Sequence, residues 1–505
     1  MKQERNYFKI TPEMEQEIKR YAEQTGRSPF VLLDVDCGKG KTQASLELLA
    51  KRLRLGETAL YLVPRKSLMQ SVINKIIQMG LEDRITVMTF QAFSKNISDV
   101  IIKMFAWVVV DECQECILMA PYSARAAEPL KKLSRAFTGE AVLMLTGTDV
   151  GIENLMKRAY DVDVLVYRDK KGYADYLQGN TFGFIPNINT VVEVIYRKLQ
   201  KGEKVLFFSS SIDNIEKIQK QLSEKTLTVV SKYNRDGKRV GGGKRKDVND
   251  LINDEVIPKG FNVVLATKSA DVGINIIDDY LTTIIVDELC VATALQEINR
   301  KRRADGEKID LYFLMPNGYR TSKNFDKCKK GLEDLKLYRN NFEEWRKKHA
   351  EERITENGII YAVPDTEGIG AKLEINYALE QYYIYMVETL KSGGVVAYRN
   401  AVECALGWCG VKMLNAGKRT LEELVGVVLA TKEEKNWLIE LFKEMGDYKS
   451  ATYLNAILAA LELPYRILTK QHKELEKKDG RRQECRSGWM LVRIDDDGNV
   501  IHEKK

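Results

Sequence analysis

The chain has 505 residues, 44% of them apolar and 30% charged, with a formal net charge of +7. That length suits two to four globular domains with sizeable cores, and so mild a charge permits a nucleic-acid partner without requiring one. No apolar run reaches the length of a membrane span and none follows Met1–Arg5, so a cytoplasmic chain with no signal peptide and no membrane partner is expected. Eight scattered cysteines include one close pair, Cys113 and Cys116, which supports neither a zinc ribbon nor a disulfide framework and fits a reducing compartment. The three histidines, His349, His472 and His502, stand far apart, which argues against a histidine-rich metal nuclease or a Ser/His hydrolase.

The opening segment, Phe8 to Thr25, is charged with a helical pattern. Val31-Leu32-Leu33 then reads as a buried strand, followed by a turn through Cys37-Gly38-Lys39-Gly40 and a helical segment from Thr42 to Leu55. Strand, glycine-rich turn and helix N-terminus together can cradle a phosphate chain with backbone N–H groups. Lys41 is placed to reach β- and γ-phosphates, and the Thr42 hydroxyl to bind Mg²⁺. Val35 stands where the full G-x-x-x-x-G-K-[ST] pattern has its first glycine.

Ala59 to Val63 is a second buried strand, ended by Pro64, with Arg65 opening a helix that runs to about Met79. Arg84 to Phe93 gives a strand and a Thr89-Phe90-Gln91 turn. Trp107-Val108-Val109-Val110 runs straight into Asp111-Glu112. Continuous apolar runs suit parallel strands covered on both faces, and ligands sit at the carboxyl ends of such strands. Asp111 is therefore expected to hold Mg²⁺ and Glu112 to orient or deprotonate the attacking water. Ala141 to Leu145 repeats the pattern with Thr146-Gly147-Thr148 at its tip, and Val162 to Gly172 reads as the crossing into a second unit.

The second unit repeats the scheme. Val205 to Phe208 ends at Ser209, Asn262 to Ala266 ends at Thr267, and Thr283 to Val286 ends at Asp287. Thr293 to Arg303 reads as a helix carrying Gln296, Arg300 and Arg303 on one face, suited to stabilising a transferring phosphoryl group across a cleft.

This order of motifs resembles the superfamily 2 helicases and translocases over about residues 25 to 320. Val35 to Thr42 is similar to motif I, Leu62 to Leu68 to motif Ia and Thr89-Phe90-Gln91 to motif Ib. Asp111-Glu112-Cys113-Gln114 matches motif II, and Thr146-Gly147-Thr148 resembles motif III. Phe207 to Ser211 is similar to motif IV, Thr267 to Asn275 to motif V, and Gln296-x-x-x-Arg300-x-x-Arg303 matches motif VI. The resemblance implies two RecA-like domains with ATP and Mg²⁺ between them. It makes Arg300 and Arg303 the arginine fingers and puts Gly273 at the interdomain nucleotide site. Arg65, Thr89, Ser209 and Thr267 would line a nucleic-acid track, with DNA preferred over RNA. Gln114 replaces the usual Asp or His, and no adenine-reading glutamine motif stands upstream. The Asp-Glu-Cys-Gln box and compact layout are similar to phage, plasmid and herpesvirus-type replication helicases, the origin-binding kind included.

Between motifs IV and V, Lys232 to Lys246 is basic, glycine-rich and nearly free of apolar residues, either a surface loop or a phosphate contact. Beyond residue 330 the alternation of strand and helix stops. Leu332 to Ile354 and the tyrosine-rich Leu373 to Leu390 read as helices, the tyrosines as packing groups. Thr431 to Gly446 and Ser450 to Leu461 read as two helices, followed by the basic stretch Lys477 to Arg482, the strand Trp489 to Ile494 and a turn at Asp497-Gly498. The expected fold class is α/β. Two tandem RecA-like parallel-sheet domains (1–170 and 171–330) precede a mainly helical accessory region (331–505) with a winged helix at 430–500. An ATP-dependent helicase or translocase is expected. The rivals are a duplex translocase without strand separation and an origin or operator reader regulated by ATP.

Overall fold

The continuous apolar runs become parallel strands covered on both faces. The structure is a computed structural model and describes residues 7–170, 181–222, 226–230, 245–267, 276–302, 307–350, 358–364, 371–391, 394–406, 412–413, 425, 428–429, 435, 438–439, 450–460, 463–471, 487–495 and 500. The first sheet holds β1 (Phe30–Val35), β2 (Ala59–Val63), β3 (Ile85–Thr89), β4 (Trp107–Val110), β5 (Ala141–Thr146) and β6 (Val164–Asp169). Its order is β3-β2-β4-β5-β1-β6, with every pairing parallel. Every residue of β1, β2, β4 and β5 is buried. Alternate residues face opposite cores: Val31, Leu33 and Val35 pack with Leu46 and Leu49, whereas Phe30 and Leu32 pack with Leu130 and Leu155. Each fully buried Val or Leu contributes about 1.5–3 kcal/mol by leaving water.

The second sheet holds β7 (Phe182–Ile185), β8 (Lys204–Ser209), β9 (Thr226–Val229), β10 (Val263–Ala266), β11 (Leu281–Asp287) and β12 (Asp310–Leu314). After the hairpin of β13 (Ile360–Pro364) and β14 (Ala371–Ile375), β15 (Lys412–Met413) joins this sheet at its edge. The order β15-β7-β12-β11-β8-β10-β9 is again all parallel. Read from the other edge, it repeats the first sheet with β9 added. The two halves are tandem RecA-like domains, each with one strand inserted between its first strand and its acid-tipped strand.

Three expectations are corrected. Val162 to Tyr167 is not a crossing, because Val164–Asp169 pairs with β1 as the edge of the first sheet. The helix expected from Leu332 already starts at Gly318 and runs to Asn340, and Phe342–Lys348 follows as a separate helix capped by Asn341. The helix expected from Leu373 starts at Tyr377, since Ala371–Ile375 pairs antiparallel with β13 as a strand. Asn376 caps the helix Tyr377–Leu390 by accepting from the Leu379 N–H at 3.0 Å.

One continuous apolar core runs from the first domain through this helix into the second domain, with Leu155, Met386 and Leu295 among its members. At the far end a small unit has its own core, including Leu429, Leu454, Ile467 and Trp489. Here the helix Ala451–Ala460 precedes β17 (Tyr465–Gln471) and β18 (Ser487–Arg493), and β16 (Val428–Leu429) pairs with β18. The strand order is β16-β18-β17, with both pairings antiparallel. The exposed face of its helix carries Thr452, Tyr453, Ala456 and Ala459, with no charge. The basic stretch at 477–482, the turn at 497–498 and most of the expected helix at 431–446 lie outside the described residues. So does the insertion at 232–246, apart from Arg245 and Lys246, which open the helix Arg245–Asp254. Among the described residues no helix is long and apolar enough to cross a membrane.

Asn455 ties this unit together. Its amide donates to the Ile467 carbonyl at 2.8 Å and its carbonyl accepts from the Ile467 N–H at 2.6 Å. Asn455→Ala should cost about 1–3 kcal/mol, read as faster hydrogen exchange in β17 with the two main sheets unchanged.

Candidate active site

The turn after β1 joins two left-handed glycines to an uncapped helix start. Gly38 and Gly40 have φ of 79° and 83°, a left-handed conformation that side chains resist. Gly40 starts the helix Lys41–Arg52, and no side chain caps it, so backbone N–H groups at its start point towards the cleft. Lys41 is buried, and its ammonium donates to the carbonyls of Val35 at 2.7 Å and Asp36 at 3.2 Å. The turn therefore binds its own lysine in this state, in the region where a phosphate chain would compete for the charge. Burial pushes the Cys37 thiol up, so it stays neutral and the turn offers its backbone.

Asp111 follows β4 and lies beside this turn because β5 alone separates β4 from β1. Its Oδ2 accepts from the Thr42 hydroxyl at 3.1 Å and from the Tyr61 hydroxyl at 3.1 Å. Burial first, and then the neighbouring Glu112 charge, push the Asp111 carboxyl up to about 6. A buried carboxylate touching a hydroxyl supplies two hard oxygen donors, which fits Mg²⁺ shared with phosphate oxygens and water. Among the described residues no group of three His, Cys, Asp or Glu side chains could hold a metal by itself.

Glu112 has φ of 51°, a strained value for a residue with a side chain, worth roughly 1–3 kcal/mol. Two bonds hold it there: its N–H donates to Asp111 Oδ1 at 3.0 Å, and Gln114 Nε2 donates to its Oε2 at 2.6 Å. Gln114 is fully buried. The residue that departs from the motif thus orients the carboxylate beside it.

The second domain closes the cleft. Gln296, on the helix Val291–Ile298, donates from Nε2 to Thr148 Oγ1 of the first domain at 3.2 Å. The expected helix to Arg303 is corrected here, since it ends at Ile298 with Asn299 as its C-cap. Beyond it the Ile276 N–H donates to the Arg300 carbonyl at 2.8 Å and the Arg302 N–H to the Ile276 carbonyl at 2.9 Å. That pairing makes residues 300–302 strand-like, so side chains alternate. Arg300 and Arg302 face the cleft, while Lys301 turns inward to the Asp278 carbonyl at 2.8 Å. Arg302 reaches so close that a Cβ on Gly38 would stand 3.2 Å from its Nη1. Burial pulls its guanidinium below the usual value, opposed by the charge of Glu112. Gly273 and Arg303 lie outside the described residues.

The result is one cavity of about 630 Å³ between the domains, lined by Lys41, Thr42, Asp111, Glu112, Gln296, Arg300 and Arg302. Tyr7 lines it too, its ring against Gly40, held by a bond from the Phe8 N–H to the Lys39 carbonyl at 2.8 Å. Sequence reasoning missed Tyr7 and Arg302. An aromatic ahead of the first helix and the Arg-Lys-Arg-Arg alternation were the available signals.

The four expected track residues all stand at or just beyond strand ends. Arg65 lines the cleft with its guanidinium 3.4 Å from Glu115. Thr89 caps the helix Phe90–Asn96, accepting from the Ala92 N–H at 3.2 Å. Ser209 is buried and donates to Asp287. Thr267 is buried after β10, and its hydroxyl has no partner among the described residues.

No protein-family model matches the sequence, and no curated protein matches it. Among solved structures the chain is similar to DUF1998 helicase MrfA bound to DNA, at 16% identity and a TM-score of 0.41, covering 59% of this chain and 45% of that one. Mycobacterium smegmatis helicase Lhr bound to ssDNA and AMP-PNP matches at 16% identity and a TM-score of 0.40, again over 59% and 45%. S. cerevisiae Dbp5 bound to RNA and ADP BeF3 matches at 11% identity and a TM-score of 0.42, over 59% and 82%. The chain spans under half the length of the first two.

Asp111 gives the site a pH signature. Its carboxyl ionises near 6 in the fold against about 3.9 in the unfolded chain, so the metal-free protein should lose stability as pH rises from about 4 through 6. Added Mg²⁺ should raise the melting temperature more at pH 7.5 than at pH 5, and Asp111→Asn should flatten both effects in melting curves.

Proposed function

We propose that the chain is an ATP-driven motor of the superfamily 2 helicase and translocase kind, working on DNA. The observation that carries this reading is the convergence of Lys41, Thr42, Asp111 and Glu112 with Gln296, Arg300 and Arg302 on one interdomain cavity. A cavity shared in this way is made and unmade as two domains move, which is what a motor needs.

Lys41 leaves the Val35 and Asp36 carbonyls for the β- and γ-phosphates of ATP. Tyr7, beside Gly40, stacks on the base. Thr42 and Asp111 hold Mg²⁺, which when bound neutralises phosphate charge. Glu112, held by Gln114, takes the proton of the attacking water. Arg300 and Arg302 meet the charge that builds on the transferring phosphoryl group. Gln296 carries the state of the nucleotide across to Thr148.

The strand ends bearing Thr89, Ser209 and Thr267 line the track in this reading, and Arg65 joins them by leaving Glu115. Read as a winged helix, the terminal unit with its antiparallel strands supports DNA. The Asp-Glu-Cys-Gln box supports replication or repair of a mobile element as the setting.

ATP turnover should be measured alone and with single-stranded DNA, duplex DNA and RNA, beside strand displacement on a labelled partial duplex. Stimulation by DNA is expected, and turnover indifferent to all three polymers would count against a motor. Lys41→Ala should abolish turnover. Glu112→Gln should lower kcat by about 10²–10⁴ while ATP still binds, and Arg302→Ala should lower it by roughly 10³ or more. Tyr7→Ala should raise the KM for ATP about tenfold and leave kcat close to wild type.

A further inference from the structure

We propose that the helix Tyr377–Leu390 is a strap whose side chains Glu380, Gln381 and Tyr385 position the glutamine–arginine segment of the second domain against the first. The proposal rests on the ATPase reading above and assigns part of its control to the accessory region.

The strap grips both domains at the segments that form the cleft. On the first domain, Gln381 is buried and donates from Nε2 to the Val150 carbonyl at 3.2 Å, two residues beyond Thr148. Gly151 has φ of 95°, and a Cβ there would collide with the Gln381 side chain, so glycine is required for the grip. The strap also packs on the short helix Glu115–Leu118, which follows the acidic motif directly. On the second domain, the Tyr385 hydroxyl accepts from the Ala292 N–H at 2.9 Å, four residues before Gln296. The next helix, Val395–Leu406, packs on Val291–Ile298, and its Tyr398 hydroxyl donates to the Glu288 carbonyl at 2.9 Å.

Between these grips Glu380 joins the two sides through charge. Its buried carboxylate accepts from Arg158 at 2.6 Å, on the first-domain helix Ile152–Tyr160. It also accepts from Arg339 at 2.8 and 2.9 Å, on the long helix that leads out of the second domain. A carboxylate shared by two guanidiniums cannot follow one domain without releasing the other. The Gln296–Thr148 bond is therefore backed by a second path from Val150 through the strap to Ala292. Separating the domains breaks one set of these contacts, and seating the strap holds Arg300 and Arg302 in the cleft.

The test uses the full chain with Gln381→Ala, Glu380→Gln, Gln296→Ala and the Gln381→Ala/Gln296→Ala double variant. ATP hydrolysis is read together with hydrogen exchange at residues 291–298, with Lys41→Ala as the blank. The strap variants should lower kcat roughly tenfold, keep the KM for ATP within twofold, and speed exchange at 291–298. The double variant should depart from the sum of the two single losses, because the strap and the Gln296–Thr148 bond hold the same segment. Variants with wild-type kcat and exchange overturn the strap, as do effects confined to melting temperature or fully additive losses. If the wild type shows no turnover above the blank, the ATPase reading fails, and unchanged exchange in the strap variants would then overturn the strap independently.

Discussion

A hydroxyl and a carboxylate, Thr42 and Asp111, lie 3.1 Å apart although 69 residues separate them in the chain. The rest of the cleft depends on that contact. It exists because β1 and β4 are parallel, both fully buried, and spaced by one strand, so their carboxyl ends discharge a phosphate-type turn and an acid into the same place. Burying Asp111 is costly. Tyr61 and Thr42 offset part of that cost with hydrogen bonds, and the remainder appears as the raised carboxyl pKa. Such a site favours binding a cation, since the charge it would neutralise is already desolvated.

The strands and their polar tips were legible in the sequence because strands buried on both faces leave unbroken apolar runs. The glycine turn after β1 was legible despite Val35, since Gly38 and Gly40 supply its two left-handed residues. Less legible was anything set by tertiary pairing. Read locally, Thr293 to Arg303 continues as a helix, and only the partner strand at Ile276 forces Arg300 and Arg302 into alternation. The first-sheet role of Val164–Asp169 and the strand at Ala371–Ile375 were hidden for the same reason: each is defined by a distant neighbour. The tyrosines of Tyr377–Leu390 do pack, as their spacing suggests, yet one of them also reaches the Ala292 N–H, which no periodicity announces.

The two domains share one strand order but not one chemistry, and their differences explain why a single cleft forms between them. In the second domain Asp287 ends β11 as Asp111 follows β4 in the first. There the carboxylate is already satisfied: Ser209, Asn214 at 2.8 Å and Arg320 at 3.1 Å all donate to it. A guanidinium thus stands where the first domain leaves room for a cation. The turn after β7 runs through Pro186 and Asn187 instead of glycine and lysine, and Asn187 caps its own helix by accepting from the Thr190 N–H at 2.9 Å. A capped helix start has fewer N–H groups to offer an anion than the uncapped one at Gly40. The second domain therefore offers an anion fewer free groups at its own strand ends, where a cavity of about 820 Å³ opens beside Asn187, Asp287 and Arg320, and it lends Gln296, Arg300 and Arg302 to the cleft between the domains.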